Sequence, residues 1–96
     1  MPNATRFNDN CTGHDDCPAV PLETGSDNVF INGMKAGRQG DSYAVHGCVV
    51  HPPHNDTITG GSGTVFINDI PAARVGDSVQ IGGSVEEGSP NVKVGD

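Results

Sequence analysis

The sequence predicts an all-β domain, and three observations carry that prediction. Helix is disfavoured throughout, because there is one Leu in 96 residues, β-branched Val, Ile and Thr dominate, and no window sustains a 3.6-residue apolar period. A Gly-Ser dipeptide, at Gly25-Ser26, Gly61-Ser62 and Gly88-Ser89, opens a run of Val, Phe and Ile each time it occurs. Those runs lead into Asn32-Gly33, Asn68-Asp69 and Gly95-Asp96. Short strands of about five residues closing in tight hairpin turns are the expected elements.

The copies define the organisation. Residues 25–32 recur as residues 61–68, and a shorter copy runs from Gly88 to Val94. A second element, an arginine followed three residues later by an aspartate, occurs as Arg6/Asp9, Arg38/Asp41 and Arg74/Asp77. A single hairpin of this size is marginal in water, so three imperfect copies are expected to pack about a pseudo-threefold axis. The chain reads as a single domain, 1–96, with units of roughly 1–32, 33–68 and 69–96. The Arg/Asp pairs are expected to hold local turns, contributing at most about 1 kcal/mol if exposed. Gly40 and Gly76, directly before two of the acids, are expected to supply a positive φ or a close backbone approach.

Composition adds a constraint. Leu, Ile, Val and Phe make up only 20 of 96 residues, a level at which chains struggle to build a core. Conformational entropy opposes folding by roughly 1.5 kcal/mol per ordered residue, so a metal, a disulfide or a partner is expected to help. A formal charge of −7 argues against a nucleic-acid coat. No stretch resembles a signal peptide or a membrane span, so synthesis in the cytoplasm with reduced thiols is expected. Cys11, Cys17 and Cys48 are an odd number, and a Cys11–Cys17 disulfide is one pairing left open.

The staple is expected among the histidines. All four fall between positions 14 and 54, and His46, His51 and His54 lie within nine residues alongside Cys48. Imidazole nitrogen and thiolate sulfur suit zinc or iron, and a closed tetrahedral site needs four such donors from separate turns. His14 and His46 each follow an aspartate of the repeat by five residues, which makes them equivalent; the third such position is Gly82. The missing donors are therefore sought among His54, His51 and Cys48. One structural metal is the expectation, its binding energy serving as folding energy. No acid stands in a His-Glu-x-x-His arrangement, and neither a serine elbow nor a phosphate loop is present, so the chain is not expected to be an enzyme. The plain alternative, exposed loop histidines that bind nothing, would leave the poor core without its staple.

Pro71-Ala72-Ala73-Arg74, framed by Gly61-Ser62, Val65-Phe66-Ile67-Asn68 and Val75-Gly76-Asp77, resembles the PAAR repeat, a family that takes its name from those four residues. The similarity runs from Arg6 to Val92, and the first copy departs from it, with Met34-Lys35-Ala36-Gly37-Arg38 in place of Pro-Ala-Ala-Arg. The resemblance implies a small cone of short β-hairpins with pseudo-threefold symmetry, stapled near its apex by one metal ion. Zinc is the expected metal and iron the second choice, held in the family by three histidines and a cysteine. His14, His46 and His54 match the family's histidine positions. Where the cysteine would stand this chain has Ile81, which points to His51 as the fourth ligand with Cys48 as its substitute.

The function implied is that of a cap on the trimeric β-helical spike of a contractile injection machine, a phage tail or a type VI secretion system. One cap per trimer is expected, meeting the target membrane mechanically, with neither nucleic acid nor a small-molecule substrate as partner. The cap would be assembled at the spike tip, and the compact length implies no fused toxin and leans toward a phage tail. The competing readings are a small metal-dependent enzyme and a metal-binding adaptor that loads effectors.

Overall fold

A computed structural model describes residues 1–13, 17–46 and 53–95. The chain is built from short β elements with almost no helix, as the composition predicts. Two hairpins carry the named strands: β1 (Phe30–Ile31) pairs antiparallel with β2 (Met34–Lys35), and β3 (Phe66–Ile67) with β4 (Ile70–Pro71). Among the described residues the helical content is one 3-10 turn, Gln80–Gly82.

The turns explain why the hairpins form. Asn32 and Gly33 have φ of 54° and 79°, Asn68 and Asp69 of 54° and 64°. Positive φ at both central residues twists a two-residue turn to match its strands, and Asn, Asp and Gly tolerate that region best. The strands are shorter than expected, two residues each rather than about five, because the chain changes pairing partner immediately beyond them. The rest of the pairing consists of single antiparallel bridges between distant segments, among them Arg6 with Ala36, Arg38 with Ala72, and Ala4 with Arg74.

Those three bridges close on themselves. Gly37 N–H donates to Thr5 O at 2.9 Å, Ala73 N–H to Gly37 O at 3.1 Å, and Thr5 N–H to Ala73 O at 3.2 Å. Such a ring demands close backbone approach. A Cβ on Gly37 would lie 2.8 Å from Thr5 Cγ2 and 2.9 Å from Leu22 Cδ2, so only glycine fits.

The third hairpin is made from the two ends of the chain. Ala36 N–H donates to Val29 O at 3.0 Å and Ala72 N–H to Val65 O at 2.9 Å. The matching bond runs from Ala4 N–H to Val92 O at 3.0 Å, joined by Val94 N–H to Pro2 O at 2.9 Å and the Asn3–Lys93 bridge.

Each arginine clamps its aspartate with both its backbone and its fork. Asp41 Oδ2 accepts from Arg38 N–H at 2.7 Å and Nε at 3.1 Å, while Oδ1 accepts from NH2 at 3.2 Å. Arg6 with Asp9 and Arg74 with Asp77 repeat the same three bonds. The carboxylate hydrogen bond pushes the Arg6 pKa above its ordinary value, and Asp41 does the same for Arg38. These are not the exposed pairs that the low estimate assumed: the side chains of Arg38 and Asp41 retain 19% and 7% of their accessibility. Asn8, Gly40 and Gly76, each before its aspartate, have φ of 76°, 91° and 94°. A Cβ at Gly40 or Gly76 would meet nothing within 4 Å, so φ and not close approach is what selects glycine there.

Ser26, Ser62 and Ser89 prove to be buried staples, a role not evident from the sequence. Ser26 Oγ accepts from the N–H groups of Asn28 and Val29 and donates to Asn68 Oδ1 at 2.7 Å. Ser89 does the same toward Asn32 Oδ1 at 2.6 Å, and Ser62 toward Gly95 O at 2.7 Å. One hydroxyl thus starts its own strand and locks a neighbouring turn.

The apolar residues gather in two clusters. Ala4, Ala36, Ala72, Ile67 and Val94 form one, with Ile31 and Val92 packed against it. Cys11, Leu22, Tyr43, Ile58, Ala73, Val79 and Val85 form the other. Tyr43 is its largest member, fully buried, and among the described residues its hydroxyl has no hydrogen-bond partner. Burial pushes the phenol pKa up. Because an unpaired buried hydroxyl opposes folding, Tyr43→Phe is expected to leave stability unchanged or raise it by up to about 1 kcal/mol. Urea denaturation checks this, and a loss beyond 1 kcal/mol would mean that the hydroxyl is satisfied in solution.

Candidate metal centre

Beyond Tyr43 the chain continues to His46, which pairs with His54 across an antiparallel bridge. His54 N–H donates to His46 O at 2.8 Å and His46 N–H to His54 O at 3.0 Å. Residues directly opposite in such a pair present their side chains on the same face, and residue i+2 of an extended strand returns to that face. His46, His54 and Asp56 therefore converge.

The three donors are close. His46 Nε2 lies 3.0 Å from His54 Nε2 and 3.1 Å from Asp56 Oδ2, and His54 Nε2 lies 3.3 Å from Asp56 Oδ1. The rings meet edge-on, with centroids 4.6 Å apart. The side chains of His46 and Asp56 are 1% exposed, and that of His54 is 17% exposed. His46 Nδ1 is 2.8 Å from Pro18 O, and a carbonyl can only accept, so Nδ1 carries the proton. In the neutral ring Nε2 then presents a lone pair toward a buried carboxylate and a second imidazole.

A cation answers that arrangement. Donors bound at about 2.0 Å to a tetrahedral zinc lie roughly 3.3 Å from one another, close to the separations seen here. The three residues form a group able to hold a metal ion. The Nδ1–H bond to a backbone carbonyl is the support that metal-binding imidazoles commonly receive.

Of the residues expected to bind metal, the structure brings His46 and His54 together. His14, His51 and Cys48 lie outside the described residues. Asp56 is not among the expected ligands, because histidine and cysteine spacing does not mark it. The available signal was strand alternation, with His54 and Asp56 two apart and His46 in register opposite. Ile81, which stands where the resemblance would place a cysteine, is half exposed with φ of 67°, a strained value for a β-branched residue.

The cysteines also differ from expectation. Cys11 is a free, buried thiol in the core, which excludes a Cys11–Cys17 bond. Cys17 is disulfide-bonded.

A cavity of about 410 Å³ lies elsewhere, lined by Phe7, Asn8, Phe30, Gly33, Met34 and Lys35. Among the described residues, no helix is long and apolar enough to cross a membrane. Compared with protein-family models and with curated proteins, the chain matches none of either.

Proposed function

We propose that the chain is a structural spike-tip cap of the PAAR kind, seated on a trimeric β-helical spike of a contractile injection machine and stapled by one metal ion. The observation that carries this reading is the closed ring of Thr5, Gly37 and Ala73, surrounded by three identical Arg/Asp clamps and three Ser staples. A single chain arranged pseudo-threefold about an axis can match a true threefold trimer with one copy. The elongated outline, 37 × 23 × 22 Å, suits a cone.

Docking needs an apolar face, and the hairpins offer one. Phe30 and Phe66, each 55% exposed, occupy corresponding places in their hairpins, flanked by the half-exposed Val29 and Val65. The third hairpin, made by the chain ends, carries Lys93 at that place, hydrogen-bonded to Asn3. Metal at His46, His54 and Asp56 would cross-link segments that the chain separates by Pro52-Pro53. Zinc is the preferred ion, and these three residues would supply two nitrogens and one oxygen to it.

The test is a complex with a spike trimer. Purified chain mixed with trimeric β-helical spike proteins of phage and type VI origin is expected to give one chain per trimer by light scattering. The Phe30→Ser/Phe66→Ser pair should weaken binding at least tenfold while metal content is retained. Absence of any complex, or three chains per trimer, would overturn the reading. A small metal-dependent enzyme is the second reading, favoured by the donor set, because two imidazoles and one carboxylate can leave positions open for water. Against it stands the near-complete burial of His46 and Asp56.

A further inference from the structure

Lysine and arginine together number 5, and the three arginines, Arg6, Arg38 and Arg74, are bound into the clamps. The other two are lysines, and both stand on one rung of the repeated hairpin. In β1 and β2 that rung pairs Phe30 with Lys35, and in β3 and β4 it pairs Phe66 with Pro71. In the hairpin made by the chain ends it is the bridge between Lys93 and Asn3. Residues directly opposite across an antiparallel pair project to the same side, so Lys35 accompanies Phe30, and Lys93 takes the place of Phe30 and Phe66. Both lysines are exposed. Lys35 Nζ lies 3.4 Å from Asp27 Oδ1, but the Asp27 side chain is 95% exposed, and a partner can replace so solvated a pair at little cost. Lys93 Nζ donates to Asn3 Oδ1 at 2.7 Å, and among the described residues it has no carboxylate partner. The second hairpin has no cation on its rung and carries the exposed Asp69 in its turn.

We infer that this rung recognises carboxylates as well as apolar surface, and that its partner is a trimeric spike whose blunt end presents, on each of three identical chains, an apolar socket with an aspartate or glutamate at its rim. The inference rests on the spike-tip reading and adds the chemistry of the partner. A true threefold partner repeats one surface three times, so whatever it offers to Phe30 and Lys35 it also offers to Lys93. A wholly apolar socket would leave the Lys93 ammonium desolvated without compensation, and a basic one would repel it. A carboxylate at the rim resolves both problems. It pairs with Lys35 beside the Phe30 ring at one socket, and with Lys93 at another, where the lysine methylenes lie along the apolar wall. At the socket that receives Phe66 it finds no cation. The same lysines select against trimers with basic ends. An anionic lipid surface is the weaker occupant, because two lysines on a chain of formal charge −7 supply little attraction to it.

The experiment titrates the full chain and its Lys35→Glu/Lys93→Glu form against a spike trimer that binds the wild type, and against the same trimer with its end-face aspartates and glutamates changed to asparagine and glutamine. Circular dichroism and metal content verify that the variant is folded. Titrations run at about 50 mM and about 500 mM salt, which shortens the screening length roughly threefold. Charge reversal should weaken binding at least about tenfold at the lower salt, and the higher salt should close most of that gap. Against the neutralised trimer the two forms should bind alike. Equal affinity of the two forms for the unmodified trimer would overturn the inference and leave the cap reading to Phe30 and Phe66. A gap that persists at high salt or against the neutralised trimer would also overturn it, by tracing the loss to something other than paired charge. Sedimentation with phosphatidylglycerol vesicles is the last arm: wild-type binding that is absent on phosphatidylcholine and lost on reversal would reassign the lysines to a lipid surface. Failure of the wild type to bind any spike trimer would overturn the cap reading, and the inference with it.

Discussion

Replacing Asp56 by alanine is expected to abolish tight metal binding and to bring the melting temperature of the metal-loaded protein down to that of the chelated one. Asp56 is buried beside two imidazoles, and His46 Nε2 lies 3.1 Å from its Oδ2. A divalent ion bound there would take one donor atom from each of the three side chains. At a free metal concentration a thousand times the dissociation constant, binding adds about 4 kcal/mol of stability. For a domain this small, each 1 kcal/mol moves the melting temperature by roughly 4–8 °C, so a fall of about 15–30 °C is expected. The chelated protein should respond differently. Without metal the described side-chain partners of the carboxylate are the two imidazoles, which compensate its burial less than a divalent ion does, so Asp56→Ala in chelator should shift the melting temperature far less than in metal. Calorimetry with and without chelator, combined with metal analysis, separates the cases. An equal fall in both conditions would show Asp56 paired with a protonated imidazole rather than a metal, and would sink the metal assignment.

Some of this architecture was legible in the sequence, for physical reasons that particular residues display. Asn32-Gly33 and Asn68-Asp69 announce two-residue turns because few other pairs accept positive φ twice, and both sites adopt it. The recurrence of Arg/Asp was equally plain. What the recurrence hid was how the copies join: Arg6/Asp9 lacks a preceding Gly-Ser, and Gly88-Ser89 lacks a following Arg/Asp, because the two are halves of one unit closed by Ala4 and Val92. Strand length was overestimated because apolar runs do not record where a chain changes partner. Ser26, Ser62 and Ser89 were read only for nucleophilic chemistry, although Ser before a strand is also a turn-forming residue whose hydroxyl can satisfy two backbone N–H groups.

The candidate metal centre was half legible. His46 is marked by its repeat position, five residues after Asp41, and His54 by its proximity. Asp56 carries no such mark, since an aspartate following His54-Asn55 reads as one more polar loop residue. Only the pairing of His46 opposite His54 turns the next same-face position into a donor, and pairing is a tertiary fact. The tautomer of His46 depends on Pro18, 28 residues away in sequence, and spacing arguments do not reach that far.

The second large effect is expected at the arginine clamps. Arg38→Ala should destabilise the protein by about 3 kcal/mol, well beyond the 1 kcal/mol of an exposed pair, because it leaves Asp41 largely buried with its charge undercompensated. After truncation Asp41 retains the Arg38 N–H and the Thr24 hydroxyl, at 2.7 Å and 3.0 Å. It loses both guanidinium bonds, and Asn68 Oδ1 loses the bond from Arg38 NH1 at 3.2 Å. That last contact ties the clamp that follows Gly25-Ser26 to the hairpin turn that follows Gly61-Ser62, so damage should spread to the Ser26 staple, which donates to the same Asn68 oxygen. Removing both charges relieves part of the cost. Arg38→Ala/Asp41→Ala should therefore be less destabilised than the sum of its single variants, with a coupling of at least 1 kcal/mol in a double-mutant cycle. Arg38→Lys should fall between, since an ammonium keeps the charge but cannot make the paired bonds of the fork. Denaturant midpoints for the wild type and these four variants decide the matter. A cost below 1 kcal/mol for Arg38→Ala, with additive singles, would return the clamps to the status of exposed ion pairs and leave the closed ring of Thr5, Gly37 and Ala73 and the serine staples to hold the copies together.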